Sequence, residues 1–134
     1  MKSRKYGKYY YLRLKDSFFY DEKILILESM EEGEKYVVLL LKLYLRSLKH
    51  NGKLMVEEGR GFSIKMIGGI TKNDESFVKK ALEIYESLSL IEILKNNVIY
   101  FNDMELFVGS SSSEAERKKE SRLKIIKEKE EEKQ

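Results

Sequence analysis

The sequence has no cysteine, no proline and only one histidine among its 134 residues. Without cysteine, disulfide bridges and thiolate metal sites are excluded, and a cytosolic protein is the simplest match. The lack of proline favours uninterrupted helices, because proline removes a backbone donor and breaks a helix interior. The chain is therefore expected to fold without covalent cross-links and to be rich in helix.

Long hydrophobic runs are also absent. The longest, residues 36–45, is interrupted by Lys42 and is too short to cross a bilayer. The N-terminal segment is basic and lacks the apolar core of a signal peptide. We therefore expect a cytoplasmic protein that has no membrane partner.

Charged residues, in contrast, make up 37% of the chain and leave a net charge of +3. Two basic runs contain no acidic residue, one in residues 1–15 and the other between Lys42 and Lys53. Each run is explained either by a solvated face that aids solubility or by a surface that faces phosphates. Both interpretations stay open at this stage.

The apolar residues divide the chain into two parts. Nearly all of them precede Gly109, and four serines at residues 110–113 mark a linker before a tail in which basic and acidic residues nearly balance. The tail has no heptad pattern and supports only a transient helix, through pairs of opposite charge. We predict one domain over residues 1–109, followed by a Ser-rich linker and a charged, mobile or transiently helical tail over residues 110–134.

Residues 63–101 have the order of elements that is typical of a winged helix-turn-helix. Ser63 caps a short helix, residues 71–73 form a turn, and apolar residues at helical spacing predict a longer helix from about residue 74. A hairpin follows, with strands at residues 90–94 and 98–101, and asparagines in its turn tolerate the positive φ that such turns need. The sequence thus predicts a mainly helical α+β fold.

Further elements flank this segment. The alternation in YYYLRL predicts a strand at residues 9–14, and KLMVE predicts another at residues 53–57. Helices are expected after Asp21, over residues 34–50 and, as a last short helix, over residues 104–109. Asn51 and Gly52 fit a left-handed cap at the end of the second of these helices. That helix is apolar nearly all round, so we expect it in the centre of the core or in an oligomer interface.

The helix that follows the turn begins with residue types that contact DNA. A helix presented across a short turn enters the major groove, where asparagine pairs with adenine and lysine reaches guanine or phosphate. The hairpin turn would act as a wing on the backbone or minor groove, and a basic N-terminal arm would add phosphate contacts. The candidate DNA-binding residues are Thr71, Lys72, Asn73, Ser76, Lys79 and Lys80 around the helix, Lys95 and Asn96 in the hairpin turn, and Arg4, Lys5 and Lys8 in the arm.

Each of these features also has a simpler interpretation. Many winged helices bind proteins, and Asp74 and Glu75 repel phosphate while they stabilise the start of a helix. The hairpin completes the core whether or not it touches DNA. Tyrosines interleaved with the cations of the arm suit stacking on single-stranded bases, but an edge strand or an arm that packs on another subunit is the interpretation we favour.

No residue pattern indicates catalysis, a metal or a cofactor. His50 has no partner constellation, and the glycines at positions 59 and 61 lack the continuation of a phosphate-binding loop. The acidic residues between positions 16 and 22 do not have the spacing of a calcium loop. We predict a non-enzymatic protein that needs no cofactor.

Three segments resemble the phage replisome organiser N-terminal domain family. They are YYYLRLKDSFFYDEKILILESMEEGEKYVVLLLKLYLRSLKHNGKL, ITKNDESFVKKALEIYESLSLIEIL and VGSSSSEAERKKESR. The resemblance covers about residues 7–122, and it implies a winged helix that is similar in plan to the bacterial DnaD-like primosomal proteins. It assigns no catalytic residue to this chain.

The same resemblance implies a role in phage or prophage replication initiation. The partners it implies are double-stranded DNA at an origin, helicase-loading proteins and further copies of the chain in a homo-oligomer. A rival hypothesis is an oligomerisation or protein-docking module of a replication complex that does not bind DNA directly. In that case the Tyr-rich arm and the Leu-rich helix would build the subunit interface.

Overall fold

The computed structural model describes residues 11–56, 59–102, 122–123 and 125–128. Within them the helices are α1 (Glu22–Ser29), α2 (Gly33–Ser47), α3 (Ile64–Thr71) and α4 (Glu75–Ser87), and the strands are β1 (Lys53–Leu54), β2 (Ile91–Ile93) and β3 (Ile99–Phe101). Short 3-10 turns cover Phe18–Tyr20, Leu48–His50 and Lys95–Asn97. The described chain is mostly helical with one small antiparallel sheet, which confirms the predicted α+β class.

Side-chain caps fix where two of the helices begin, as predicted. The carboxylate of Asp21 accepts a hydrogen bond from the backbone N–H of Lys23 at 3.0 Å, and the hydroxyl of Ser63 accepts one from the N–H of Met66 at 3.1 Å. Each cap satisfies an N–H that has no partner inside its own helix. The helix predicted over residues 34–50 ends earlier, at Ser47, and continues as the 3-10 turn Leu48–His50; Asn51 ends that turn with a φ of 55°, which confirms the left-handed cap.

One side of helix α2 forms the centre of the hydrophobic core. Its buried hydrophobic residues pack with those of α1, α3, α4 and the sheet; they are Tyr36, Val37, Leu39, Leu40, Leu43 and Tyr44. The buried hydroxyl of Tyr85 in α4 donates a hydrogen bond to the carbonyl of Tyr36 at 2.5 Å and ties the two helices together. The opposite side of α2 is open to solvent, although the sequence there is also apolar in part.

The sheet has the strand order β1-β3-β2, and both pairs are antiparallel. The hairpin of β2 and β3 pairs Ile91 with Phe101 and Ile93 with Ile99. Its turn has Asn96 and Asn97 at a φ of 60° each, which confirms the predicted use of asparagine. Because α3 and α4 come between β1 and β2 in the chain, the two helices are anchored to the sheet at both ends.

The turn between α3 and α4 depends on a glycine. A Cβ on Gly68 would lie only 2.8 Å from the backbone oxygen of Asn73, whereas one on Gly69 would meet nothing within 4 Å. Gly68 therefore permits the close approach of the turn to α3, and Lys72 reverses the chain with a φ of 61°. The close approach expected from the paired glycines is thus made by one of them.

Part of the tail lies against the outer face of the sheet. Residues 122–123 and 125–128 are helical, and the side chain of Ile125 is only 3% exposed among Leu94, Val98 and Tyr100. Glu128 approaches Lys53 of β1 with 4.0 Å between the charged atoms. This second, smaller apolar cluster was not apparent in the sequence, since one buried isoleucine gives no periodic signal.

The predicted strand at residues 9–14 is wrong for the part that the structure describes. Residues 11–13 are in no strand, and Leu14 makes only a single bridge. Tyr11 is largely exposed, so the alternating side chains do not bury one face against a neighbouring strand, which is what stabilises such a pattern. Residues 9 and 10, the basic arm, the serine linker and the predicted helix at residues 104–109 lie outside the described residues.

Candidate nucleic-acid interface

The predicted DNA-binding residues fall into three groups in the structure. Lys72, Ser76, Lys79 and Lys80 are exposed around the turn and the start of α4. Lys95 and Asn96 are exposed at the tip of the hairpin. Arg4, Lys5 and Lys8 lie outside the described residues.

Thr71 and Asn73 build the turn between α3 and α4. The hydroxyl of Thr71 is buried and donates to the carbonyl of Ile67 at 2.6 Å. The side-chain amide of Asn73 donates to the hydroxyl oxygen of Thr71 at 3.1 Å and to its carbonyl at 3.3 Å. These bonds hold the turn in one conformation, and they direct both side chains towards the protein.

The exposed face of α4 contains both signs of charge. Val78, Ala81, Leu82 and Tyr85 face the core. Because successive residues of a helix are rotated by about 100°, Lys79 and Lys80 project to different sides of the solvent face. The acidic residues on the described surface of α4 are Glu75, Glu83 and Glu86. The helix alone is therefore a poor phosphate-binding surface, and additional cations have to come from its neighbours.

Those cations meet in a groove of about 450 Å³ between the start of α2 and the start of α4. Three of its lining residues are lysines from different places in the chain, namely Lys35 in α2, Lys72 in the turn and Lys80 in α4. Glu32 and Asp74 also line it, so the lysines exceed the acids by one. Exposed lysines from α2, from the turn and from α4 thus meet beside the start of α4.

An aromatic pair lies at the side of this groove. The rings of Tyr36 and Phe77 are stacked, with 4.9 Å between their centroids and 6° between their planes. The ammonium of Lys35 lies 5.8 Å from the centre of the Phe77 ring and 3.2 Å from a carboxylate oxygen of Glu32. Both members of that ion pair are exposed, so the pair is weakly held and Lys35 is available to a stronger anion.

Lys35 gives no sign of this role in the sequence. It lies far from the turn in the chain, within a helix whose pattern indicates only a core element. Lys42 is a similar case, because its ammonium donates to the carbonyl of Thr71 at 3.3 Å and so stands beside the turn. The fold brings α2 alongside the turn, and only that packing reveals both lysines.

The hairpin tip is a separate surface. Neither Lys95 nor Asn96 lines the groove. Leu94 and Val98, on either side of the tip, are buried in the small cluster around Ile125. The tip is therefore fixed in place by the sheet and by the tail.

The described residues contain no group of three or more histidine, cysteine, aspartate or glutamate side chains that could hold a metal ion. His50 is half-buried in the 3-10 turn after α2. Of the helices in the described ranges, each is too short or too polar to cross a membrane.

The described residues thus define a small, mostly helical α+β domain in which two helices joined by a tight turn stand beside a three-stranded sheet and a basic groove. A model of the N-terminal phage replisome organiser family matches residues 11–130, and the chain belongs to this family. Membership supports a role in replication initiation and partners within a replication complex.

A solved structure titled "Structure of MDR initiator" is similar to the chain with a TM-score of 0.43 and 13% sequence identity, and the match covers 91% of this chain and 96% of that chain. No curated protein matches the chain.

Proposed function

We propose that this chain is a non-enzymatic, winged-helix DNA-binding domain that acts in phage or prophage replication initiation. Family membership supports the replication role. The element order and the β1-β3-β2 sheet support the winged-helix part of this proposal, in which α4 is the recognition helix and the hairpin tip is the wing. The partner is double-stranded DNA, and origin DNA is the target that the family suggests.

The observation that carries this proposal is the convergence of Lys35, Lys72 and Lys80 on one groove at the start of α4. Three ammonium groups that approach from separate elements suit a run of phosphates better than a single anion. The exposed Ser76 and Lys79 then lie where side chains reach base edges, and Lys95 and Asn96 lie where a wing meets the backbone. The groove supplies affinity, and α4 supplies the contacts that distinguish sequences.

The test is fluorescence anisotropy of labelled duplex and single-stranded DNA at several salt concentrations. We expect tighter binding to duplex, and binding that weakens steeply as salt rises, because phosphate contacts release counterions. The double variant Lys79→Glu with Lys80→Glu should weaken duplex binding by at least about tenfold. Lys49→Glu is the control, since it makes a charge reversal in the 3-10 turn that follows α2, outside the groove.

Circular dichroism has to show that the variants keep their fold. Unchanged duplex affinity in the double variant would contradict the assignment of α4 as the recognition helix. Absence of binding at low salt would contradict DNA binding by this domain altogether.

A second candidate function, a protein-docking or oligomerisation module, rests on a different observation. Several large apolar side chains around α1 are exposed to solvent, including Phe19, Tyr20, Leu25 and Ile26. Exposed apolar groups that lie together are typical of protein interfaces. The homo-oligomer and the helicase-loading proteins proposed as partners would use this surface. A light-scattering mass that remains monomeric at high concentration would count against self-association.

A further inference from the structure

A second groove, of about 300 Å³, lies on the solvent side of α2 next to the one described above. Val38 and Leu39 form its apolar floor, and Lys35, Lys42 and Lys72 stand around it together with one acid, Glu34. This differs from the first groove, which has a more polar lining and reaches Ser76 and Lys80. An apolar floor contributes nothing to the binding of phosphates. This groove is therefore suited to a ligand other than the DNA backbone.

The exposed apolar surface continues along α2 beyond the groove. Val38 is 50% exposed and Leu45 is 52% exposed. Seven residues separate the two, so they lie about 10 Å apart along one side of the helix, two turns from each other. Lys35 and Lys42 have the same separation and form a parallel row of positive charge beside them. A row of apolar side chains bordered by a row of lysines is the complement of an amphipathic helix whose polar side is acidic.

We propose that the face of α2 from Lys35 to Leu45 docks an acidic amphipathic helix of a partner protein. The partner places an aliphatic side chain on Val38 and Leu39, and its carboxylates face Lys35 and Lys42. The ammonium of Lys42 is already held at the edge of the groove by its hydrogen bond to the carbonyl of Thr71. An ammonium has three N–H donors, so the two that remain are available to a carboxylate of the partner helix.

The charge and the apolar surface of this face favour an acidic helix over two other candidate occupants, a second copy of the chain and a nucleic acid. In a two-fold symmetric dimer built on this face, a second copy of the chain would bring its own lysine row against this one, and like charges across an interface are unfavourable. A nucleic acid would match the lysines, but it has no aliphatic group to cover Val38 and Leu45. The acidic amphipathic helix satisfies both the lysine row and the apolar row.

The proposal is tested with a fluorescein-labelled synthetic peptide of about sixteen residues, long enough for four helical turns. Leucines at helical spacing form one side of the peptide and glutamates the other. The control probe has the same composition in scrambled order, so that its charge is equal but no apolar side forms. Anisotropy titrations with the full chain should show at least about tenfold tighter binding of the amphipathic peptide. Equal binding of the two peptides would show general charge attraction and would overturn the proposal.

Variants locate the site. Val38→Asp should weaken binding of the amphipathic peptide by about tenfold, and Lys42→Gln by about threefold. The matched control is Met66→Asp on α3, because Met66 is 44% exposed and thus resembles Val38 in exposure. Equal losses for Val38→Asp and Met66→Asp would overturn the assignment to α2.

The peptide site and the DNA interface are separable by experiment. Val38→Ser, which adds no charge beside Lys35, should leave duplex DNA affinity within about twofold of the unaltered chain, whereas the neutral change Lys79→Gln with Lys80→Gln should leave peptide affinity within the same range. Failure of DNA binding therefore leaves the peptide proposal intact. If Val38→Ser weakens DNA and peptide binding alike, the two grooves form one site and the separate docking surface is contradicted.

Discussion

Gly68 and Gly69 are neighbours in α3 with opposite surroundings. A side chain on Gly68 would collide with the backbone oxygen of Asn73, and a side chain on Gly69 would point into open space. Intrinsic helix propensity treats the two positions alike, because glycine lowers helix stability by a similar amount at each. Only the packing of the turn against α3 separates them.

We expect Gly68→Ala to lower the free energy of unfolding by about 1–3 kcal/mol, since a backbone atom has to move to admit the new Cβ. Gly69→Ala should instead raise it by about 0.5–1 kcal/mol, because alanine restricts the unfolded chain and strains nothing in the helix. Urea unfolding of the pair measures both values. Equal effects of the two substitutions would contradict the close approach at Gly68.

The buried hydroxyl of Tyr85 links α4 to α2. Burial raises its pKa well above 10.0, and the neighbouring phenols of Tyr44 and Tyr36 raise it further. In the unfolded chain the same group loses its proton near pH 10. Between these two pKa values the unfolded state binds fewer protons than the folded state, so stability is fully present below pH 10 and falls as pH rises above it.

The expected slope from Tyr85 is up to about 1.4 kcal/mol per pH unit above pH 10. Tyr85→Phe should remove this contribution, so the variant should lose less stability than the unaltered chain between pH 10 and pH 11. Below pH 9 the variant should be the less stable of the two by about 1 kcal/mol, because it lacks the hydrogen bond to Tyr36. Urea unfolding across this pH range measures both effects, and parallel pH profiles would argue against the raised pKa.

At the level of helices and strands, local signals in the sequence predicted most boundaries. The caps at Asp21 and Ser63 and the asparagine turn of the hairpin are set by chemistry within a few residues, and all three are confirmed. The strand predicted at residues 9–14 is wrong over residues 11–13, because a strand depends on a neighbour that local sequence does not reveal.

The contact of the tail with the sheet gives a prediction for two adjacent isoleucines. Ile125 is buried among the residues that flank the hairpin tip, whereas Ile126 is 49% exposed. Ile125→Asp should lower the free energy of unfolding by about 2 kcal/mol, which is the value of burying one aliphatic side chain. Ile126→Asp should change it by less than about 0.5 kcal/mol. Urea unfolding provides the comparison, and a matching loss in both variants would mean that Ile125 does not anchor the tail.

For the molecule as a whole, the distribution of charge matters more than the net value of +3. Lysines from α2, from the turn and from α4 meet in one groove, while acidic side chains occupy much of the remaining surface of α4. A modest net charge is therefore compatible with a local site for a polyanion.

The salt dependence of duplex binding reports how many of these lysines contact phosphate. Lys72→Gln with Lys80→Gln should reduce the slope of log affinity against log salt by about two, because each lost phosphate contact removes about 0.9. Lys49→Gln should leave the slope unchanged. An unaltered slope in the double variant would place the phosphates elsewhere on the molecule.

The sequence by itself determined the class of fold, the helix caps, the hairpin turn and the family. Each of these depends on residues that are neighbours in the chain or on a sequence pattern that is recognisable without a structure. The tertiary structure decided which residues stand together. It buried Thr71 and brought Lys35 and Lys42 of α2 beside the turn. The physical reason is that a surface site collects side chains from elements distant in the chain, and their meeting depends on how the helices pack.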